Sequence, residues 1–439
     1  MTRSPHGRSA VSGAVVLGLT STIGAGVFLG LAPAASISGR WFVPAAAIAA
    51  LAALCSAFST ADQARGHPHA GGGYGYIRAQ LGPWPARMGA SAYLLGRAGV
   101  AAAVAGMAAT YAFPENRMLV ALLVLACGGV LSATGVRLGT GALRVAAAVV
   151  VVVLVLVVAV CFGVAPPPAP AVLPGSDDFT AFMGAAAVLF VAFTGFERVT
   201  APFRDDPVHS VRTQRWAVPL LLALVLGLTL AVAAAVRYQL GAARLALSPA
   251  PLRDALLAAD GGWLVPLVQL GALVAALSVL TSVFAGSRRA LGAMAAAGDV
   301  PGRLAPVRGG REPWQVDVLA GVAASIVLLL APPATALAIG ACGTLFYYAF
   351  TNASARLLLQ EERTWPMRTA CFGLGLSVLL AMSSPVDALV TTFATMAIGT
   401  VLLGLCARIA ARRRAAAALV PPRESRTSDS RDGDFLLRD

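Results

Sequence analysis

Of 439 residues, 58% are hydrophobic and only 12% are charged, with a mean hydropathy of +0.78; a soluble domain carries about twice that charge, so a water-soluble globular protein is excluded. All 33 basic residues are Arg, and the formal net charge is +13. Without a Lys the chain lacks both the phosphate-binding residue of a Walker A loop and the amine of a Schiff-base enzyme, so neither class applies.

A bilayer span takes about 20 mostly apolar residues. On that measure about twelve spans are expected, at 11–35, 41–60, 84–112, 118–134, 141–165, 180–199, 216–236, 262–290, 315–331, 334–359, 367–383 and 386–407. The first run is too long and too rich in glycine for the core of a cleaved signal peptide, and is expected to stay as a span. Inside it, Gly18-Leu19-Thr20-Ser21-Thr22-Ile23-Gly24-Ala25-Gly26-Val27-Phe28-Leu29-Gly30 places four glycines in thirteen positions. Each interior glycine weakens a helix by roughly 1 kcal/mol relative to alanine. Unwound backbone is tolerated in a membrane only where protein buries it or a cavity adjoins it. The stretch Thr22–Phe28 is therefore predicted to be a break that offers its backbone to a ligand at mid-membrane depth. The competing reading of Gly24 and Gly26 is close helix packing.

The sixth span carries a matching interruption, Val191-Ala192-Phe193-Thr194-Gly195-Phe196-Glu197-Arg198. Five spans separate the two, and an odd number of spans reverses orientation. Two broken helices in that relation predict an inverted repeat with a site between its halves. The chain then divides into a short N-terminus (1–10), a first five-helix repeat (11–165) and a second (166–360). Two added spans (361–410) and a charged, Ser-rich tail (411–439) follow, the tail expected to be disordered.

With twelve spans and a cytoplasmic N-terminus, 27 Arg fall on the inner side and 5 on the outer, with Arg97 inside the third span. This is a positive-inside pattern, so the basic excess orients a multi-pass protein in the plasma membrane rather than binding nucleic acid. Arg412-Arg413-Arg414 reads as a stop-transfer flank, the alternative being contact with anionic headgroups. An outer segment, Arg237–Gly262, is predicted to hold a short surface helix, Pro251–Ala259. The six Cys (55, 127, 161, 342, 371, 406) lie in or beside spans without close pairs and read as buried small hydrophobes. His67 and His69 form a loop pair without further ligands, so no metal site is expected. Arg97 and Glu197 are charges inside spans; such charges face a cavity or each other.

Four stretches carry a family resemblance. Gly18–Gly30 is similar to G-x-x-x-I-G-x-G-I/V-F-x-x-G. Pro68-His69-Ala70-Gly71-Gly72-Gly73-Tyr74-Gly75-Tyr76 is similar to P-x-x-G-G-x-Y-x-Y. Phe193-Thr194-Gly195-Phe196-Glu197 followed by Asp206-Pro207 resembles F-x-G-F-E and N-P. Ser287 through Pro301, with Arg288, Met294 and Asp299, resembles S-R-x-x-x-A-M-A-x-D-G-x-L-P. In register they resemble the amino acid–polyamine–organocation (APC) superfamily. The resemblance implies an all-α, LeuT-like 5+5 inverted repeat with two C-terminal helices, and secondary transport of amino acids or related amines by alternating access.

A zwitterion needs donors for its carboxylate and acceptors for its ammonium. Amides at Gly24, Ala25 and Gly26, at a half-helix N-terminus, suit an anion, and the resemblance assigns them the carboxylate. The ammonium would meet carbonyls of Thr22 or Ile23 and of Phe193 or Thr194. Gly195 and Phe196 complete the site, with Phe193 and Phe196 lining it or gating it. Tyr93, Arg97, Glu197 and Tyr348 are candidates for gating or coupling. Some proton-coupled relatives carry a Lys in span five, which this chain lacks. Oxygens of Ser278, Thr281 and Ser282 are candidates for sodium. The coupling ion, H+ or Na+, is left open, and no cofactor is implied. Two other readings stay open: an integral-membrane enzyme, with Asp177-Asp178 on the outer side or Asp205-Asp206 on the inner as candidate paired loop carboxylates, and a channel or non-transporting sensor of the same fold.

Overall fold

A computed structural model describes residues 5–67, 72–134, 140–168, 178–201, 209–305 and 314–418. Among these there is no strand. The helices run α1 (Pro5–Leu29), α2 (Leu31–Ser38), α3 (Phe42–Gly66), α4 (Gly73–Leu81), α5 (Pro83–Ala112), α6 (Arg117–Ala133), α7 (Thr140–Gly163) and α8 (Phe179–Phe190). After a 3₁₀ stretch at Val191–Phe196 come α9 (Glu197–Thr200), α10 (Val211–Leu247), α11 (Pro251–Ala258), α12 (Val265–Ala297), α13 (Trp314–Leu330), α14 (Pro333–Ala355), α15 (Met367–Met382) and α16 (Val386–Ala418).

Ten stretches among the described residues are long and apolar enough to cross a bilayer, and α13 and α15 are shorter apolar helices. These twelve coincide with the twelve expected spans. Several run on past the predicted ends, α10 to Leu247 and α12 to Ala297. Apolar content marks only the hydrocarbon-spanning part of a helix, and a helix continues into the interface for as long as its backbone bonds do. The short helix α11 forms at the expected place, with Leu252, Ala255 and Leu256 buried.

α5 and α14 form the centre of the bundle: 83% of each apolar segment is buried in protein, against 17% for α16. Their crossing is close because it is built on glycine. A Cβ on Gly99 would lie 2.6 Å from the Gly340 nitrogen, and one on Gly343 would lie 2.7 Å from the Ala92 carbonyl oxygen. In lipid, where apolar surface alone gives helices no reason to associate, such contact supplies packing energy. The outer helices expose Val390, Phe393 and Ile398 on α16 and Leu119, Leu123 and Val130 on α6, as lipid-facing surfaces should. The cysteine expectation is half corrected for the same reason. Cys55, Cys161 and Cys342 are buried, whereas Cys127, Cys371 and Cys406 sit on lipid-facing sides of their helices.

The predicted break in the first span is also corrected. α1 is wound through Thr22–Phe28 and its interruption is the single residue Gly30. Hydrogen bonds from Gly30 N to Gly26 O (2.9 Å) and from Ala34 N to Gly30 O (3.1 Å) carry the pattern across it. Within such a helix an amide donates to the carbonyl four residues back, so the amides of Gly24, Ala25 and Gly26 are not presented to a ligand in this conformation. Ile23, Gly24 and Ala25 are described as backbone only. Pro68–Gly71 with His69, Asp177, Asp205, Asp206 and the tail from 419 lie outside the described residues.

Candidate functional site

The two glycine-containing segments meet face to face. A Cβ on Gly26 would overlap Cα and Cβ of Ala192. One on Gly195 would overlap the Thr22 hydroxyl and sit 2.8 Å from the Ser21 carbonyl carbon. The glycines at 26 and 195 thus allow α1 to press against the 3₁₀ stretch, which is the packing reading for Gly26. The sixth span tightens to 3₁₀ here rather than unwinding, and Thr194 returns its hydroxyl to the Val191 carbonyl at 3.0 Å. Thr22 does the same to Gly18 at 2.6 Å. Phe193 and Phe196 are fully buried, and Phe196 lies against Tyr348 at 5.4 Å between ring centroids. The hydroxyl of Ser21 is buried at this crossing without a hydrogen-bond partner.

At the end of the 3₁₀ stretch, Glu197 opens α9 with 3% of its surface exposed. Arg97 pairs with its Oε2. Tyr348 donates to Oε1 at 2.7 Å, and the Tyr93 hydroxyl lies 3.5 Å from Oε2. The Arg97 guanidinium also stands over the Tyr93 ring, 4.7 Å from its centroid. Spans three, six and ten are therefore joined at one carboxylate, and Tyr93, Arg97 and Tyr348, singled out with Glu197 for gating or coupling, converge on it. The Tyr347 ring lies between those of Tyr93 and Tyr348, with centroids 4.4 and 5.1 Å away and tilted by 50° and 56° to them. Toward the Arg-rich end a small cavity adjoins this cluster, lined by Tyr74, Tyr93, Gly286, Arg289 and Tyr347. A Cβ on Gly286 would come within 2.5 Å of the Tyr93 hydroxyl, so glycine there makes room for the cluster.

A family profile described as amino acid permease matches residues 10–427. The chain belongs to the amino acid permease family, within the APC superfamily. Uncharacterized transporters of Mycobacterium tuberculosis and Mycobacterium bovis are each 34% identical to the permease over 402 residues, covering 91% of it and 91% of the relative. Crystal structures of two mutants of a manganese transporter from Eremococcus coleocola superpose with TM-scores of 0.59 and 0.58 at 12% identity, covering 94% of this chain and 97% of theirs. At that identity they share its fold, the LeuT-like arrangement. The permease is a multi-pass integral membrane transporter.

The permease holds a second buried carboxylate that the sequence did not single out as a site residue. Asp299, fully buried, follows the left-handed turn residue Gly298 (φ 82°) at the end of α12. Arg87 grips it with two nitrogens at 2.9 and 3.0 Å, Arg78 adds a bond at 3.1 Å, and the Tyr74 hydroxyl donates at 2.5 Å. Burial and the adjacent Asp299 carboxylate push the Tyr74 phenol well above its usual range, so it remains a donor. This clamp ties α4 and the start of α5 to the end of α12. Asp299→Ala takes from Arg87 and Arg78 the carboxylate they share and should cost about 1.5–3 kcal/mol, read as a lower unfolding midpoint of the purified permease. An unchanged midpoint would count against the clamp.

Of the candidate sodium ligands, Ser278 donates to the Val274 carbonyl and Thr281 to the Ser278 carbonyl, both at 2.8 Å, as small polar residues in helices commonly do. Among the described residues no three His, Cys, Asp or Glu side chains gather as a metal site. Ser21 and Tyr347 are additional residues of the site. Ser21 stood inside the first motif and Tyr347 beside Tyr348, but nothing in their spacing told which face of either helix meets the crossing.

Proposed function

We propose that this permease is a secondary active transporter of amino acids or related amines, working by alternating access in the plasma membrane with both termini cytoplasmic. The observation that carries the reading is the crossing of α1 with the 3₁₀ stretch, where Gly26 and Gly195 meet backbone and the buried Ser21 hydroxyl has no partner. In this reading the conformation described is closed. Substrate entry separates the two segments and loosens Thr22, Ile23, Gly24, Ala25 and Gly26, which glycine makes inexpensive. The freed amides then take the carboxylate, and carbonyls around Phe193 and Thr194 take the ammonium.

The pairing of Glu197 with Arg97 bears on specificity. A carboxylate already held by a guanidinium and a tyrosine hydroxyl is not available to a cationic side chain. The surrounding Phe193 and Phe196 offer apolar surface. Zwitterions with uncharged side chains are the substrates this arrangement favours. The test is uptake of labelled amino acids, polyamines and Mn2+ into proteoliposomes, with and without a trans pool, a proton gradient or sodium. Uptake or exchange of neutral amino acids above that of lysine, arginine and polyamines is the expected result. Failure to move or bind any amino acid or amine overturns the proposal.

A further inference from the structure

A groove of about 310 Å³ runs between the start of α5 and the last turns of α16, at the Arg-rich end of both helices. Trp84, Arg87, Val401, Gly404, Leu405 and Arg408 line it. It is separate from the α1 crossing, and nothing in the transport reading uses it. Its chemistry is graded along the helix axis. Arg408 is exposed at one end and makes no ion pair among the described residues. Val401, seven residues earlier, lies about 10 Å deeper along the helix, and it and Leu405 are exposed. Trp84, 54% exposed, stands at the mouth, where aromatic rings settle at membrane interfaces.

Arg87 adds a second cation from the floor. Its Nε and one terminal nitrogen are spent on Asp299, while the other, Nη1, faces Gly404, 3.5 Å from where a Cβ would stand there. A glycine at 404 thus leaves open the space beside a half-used guanidinium. Two cations at headgroup level above an apolar trough match one class of molecule: a phosphate-bearing headgroup joined to an acyl chain. Basic pockets between transmembrane helices are known to take such lipids.

We propose that this groove binds an anionic phospholipid, its phosphate between Arg87 Nη1 and Arg408 and one acyl chain along Val401 and Leu405. Because Arg87 also holds Asp299, the bound lipid completes that guanidinium's hydrogen bonding and steadies the clamp at the end of α12.

The test is lipid retention by the purified full-length permease, measured by native mass spectrometry and by unfolding midpoint. Phosphatidylglycerol, phosphatidylcholine and inorganic phosphate are compared as probes. Wild type should retain phosphatidylglycerol over phosphatidylcholine and be stabilised by it, with inorganic phosphate giving neither effect. Arg408→Gln should weaken retention about fivefold, the effect of one basic residue near an anionic surface. Gly404→Leu, which fills the trough without removing charge, should abolish selective retention. Arg368→Gln, an exposed basic site elsewhere at the same end, should leave it unchanged. Equal retention of both lipids by wild type, or unaltered selectivity in both groove variants, overturns the proposal. So does a wild-type dimer that Arg408→Gln dissociates with unaltered lipid selectivity, which would assign the groove to a second copy of the chain. None of these readouts depends on which substrate is moved.

Discussion

Glu197→Ala should abolish transport and strip the permease of much of its stability. The substitution leaves Arg97 buried at the centre of the bundle with no carboxylate, and breaking one side of a buried ion pair costs about 3–5 kcal/mol. It also removes the acceptor of the Tyr348 hydroxyl, bonded at 2.7 Å. Arg97→Ala should be milder in stability, because the remaining carboxylate keeps the Tyr348 bond. The double variant Arg97→Gln with Glu197→Gln separates structure from transport. With no unpaired charge left, it should regain most of the wild-type unfolding midpoint while still failing in proteoliposome uptake. Wild-type uptake by that double variant would show that the pair is structural only. Tyr348→Phe keeps the ion pair and loses one charge-assisted bond, about 1.5–3 kcal/mol, and should slow transport without ending it.

The second large effect is expected at the helix crossing. Gly26→Val and Gly195→Val should both prevent accumulation of folded permease. At Gly26 the added carbon meets Ala192 Cα, and at Gly195 it meets the Ser21–Thr22 backbone. Neither neighbour is the free end of a flexible side chain. Overpacking of this kind costs about 1–3 kcal/mol where side chains can move, and more where backbone must. Gly26→Ala combined with Ala192→Gly moves the methyl from one helix to the other and should recover folded protein that Gly26→Ala alone loses. If Gly26→Ala by itself leaves yield, unfolding midpoint and uptake at wild-type levels, the two segments do not pack as described.

The spans were legible because a membrane helix needs a long apolar run, and each run here is bounded by Arg, Pro or Gly. Their ends were less so, since Val211–Thr213 and Ala293–Ala297 are helical for reasons that hydropathy does not register. At the site, the pairing of the first span with the sixth was readable from Gly26 and Gly195 and their spacing. The winding of Thr22–Phe28 was not, because glycine serves both a broken helix and a closely packed one. What decides between them is Ala192, a residue with no signal of its own. Arg97 and Glu197 stood out as costly charges, and their meeting followed from that cost. Asp299 did not stand out: it sits in a loop where a carboxylate is ordinary, and its partners Arg87 and Tyr74 lie 212 and 225 positions away.

One helix carries more than its share of these contacts. Arg87, Tyr93 and Arg97 all lie on α5, within about 15 Å along its axis. The first reaches the Asp299 clamp and the lipid-facing groove, and the other two reach Glu197. Gly96 and Gly99, between and beyond them, seat this rod against α14 with no side chain to cushion the contact. A tilt of α5 therefore acts as a lever. It cannot disturb the ion pair at the centre of the bundle without also moving the arginine at the start of the helix, and the lipid proposed there would set the resistance felt at the centre.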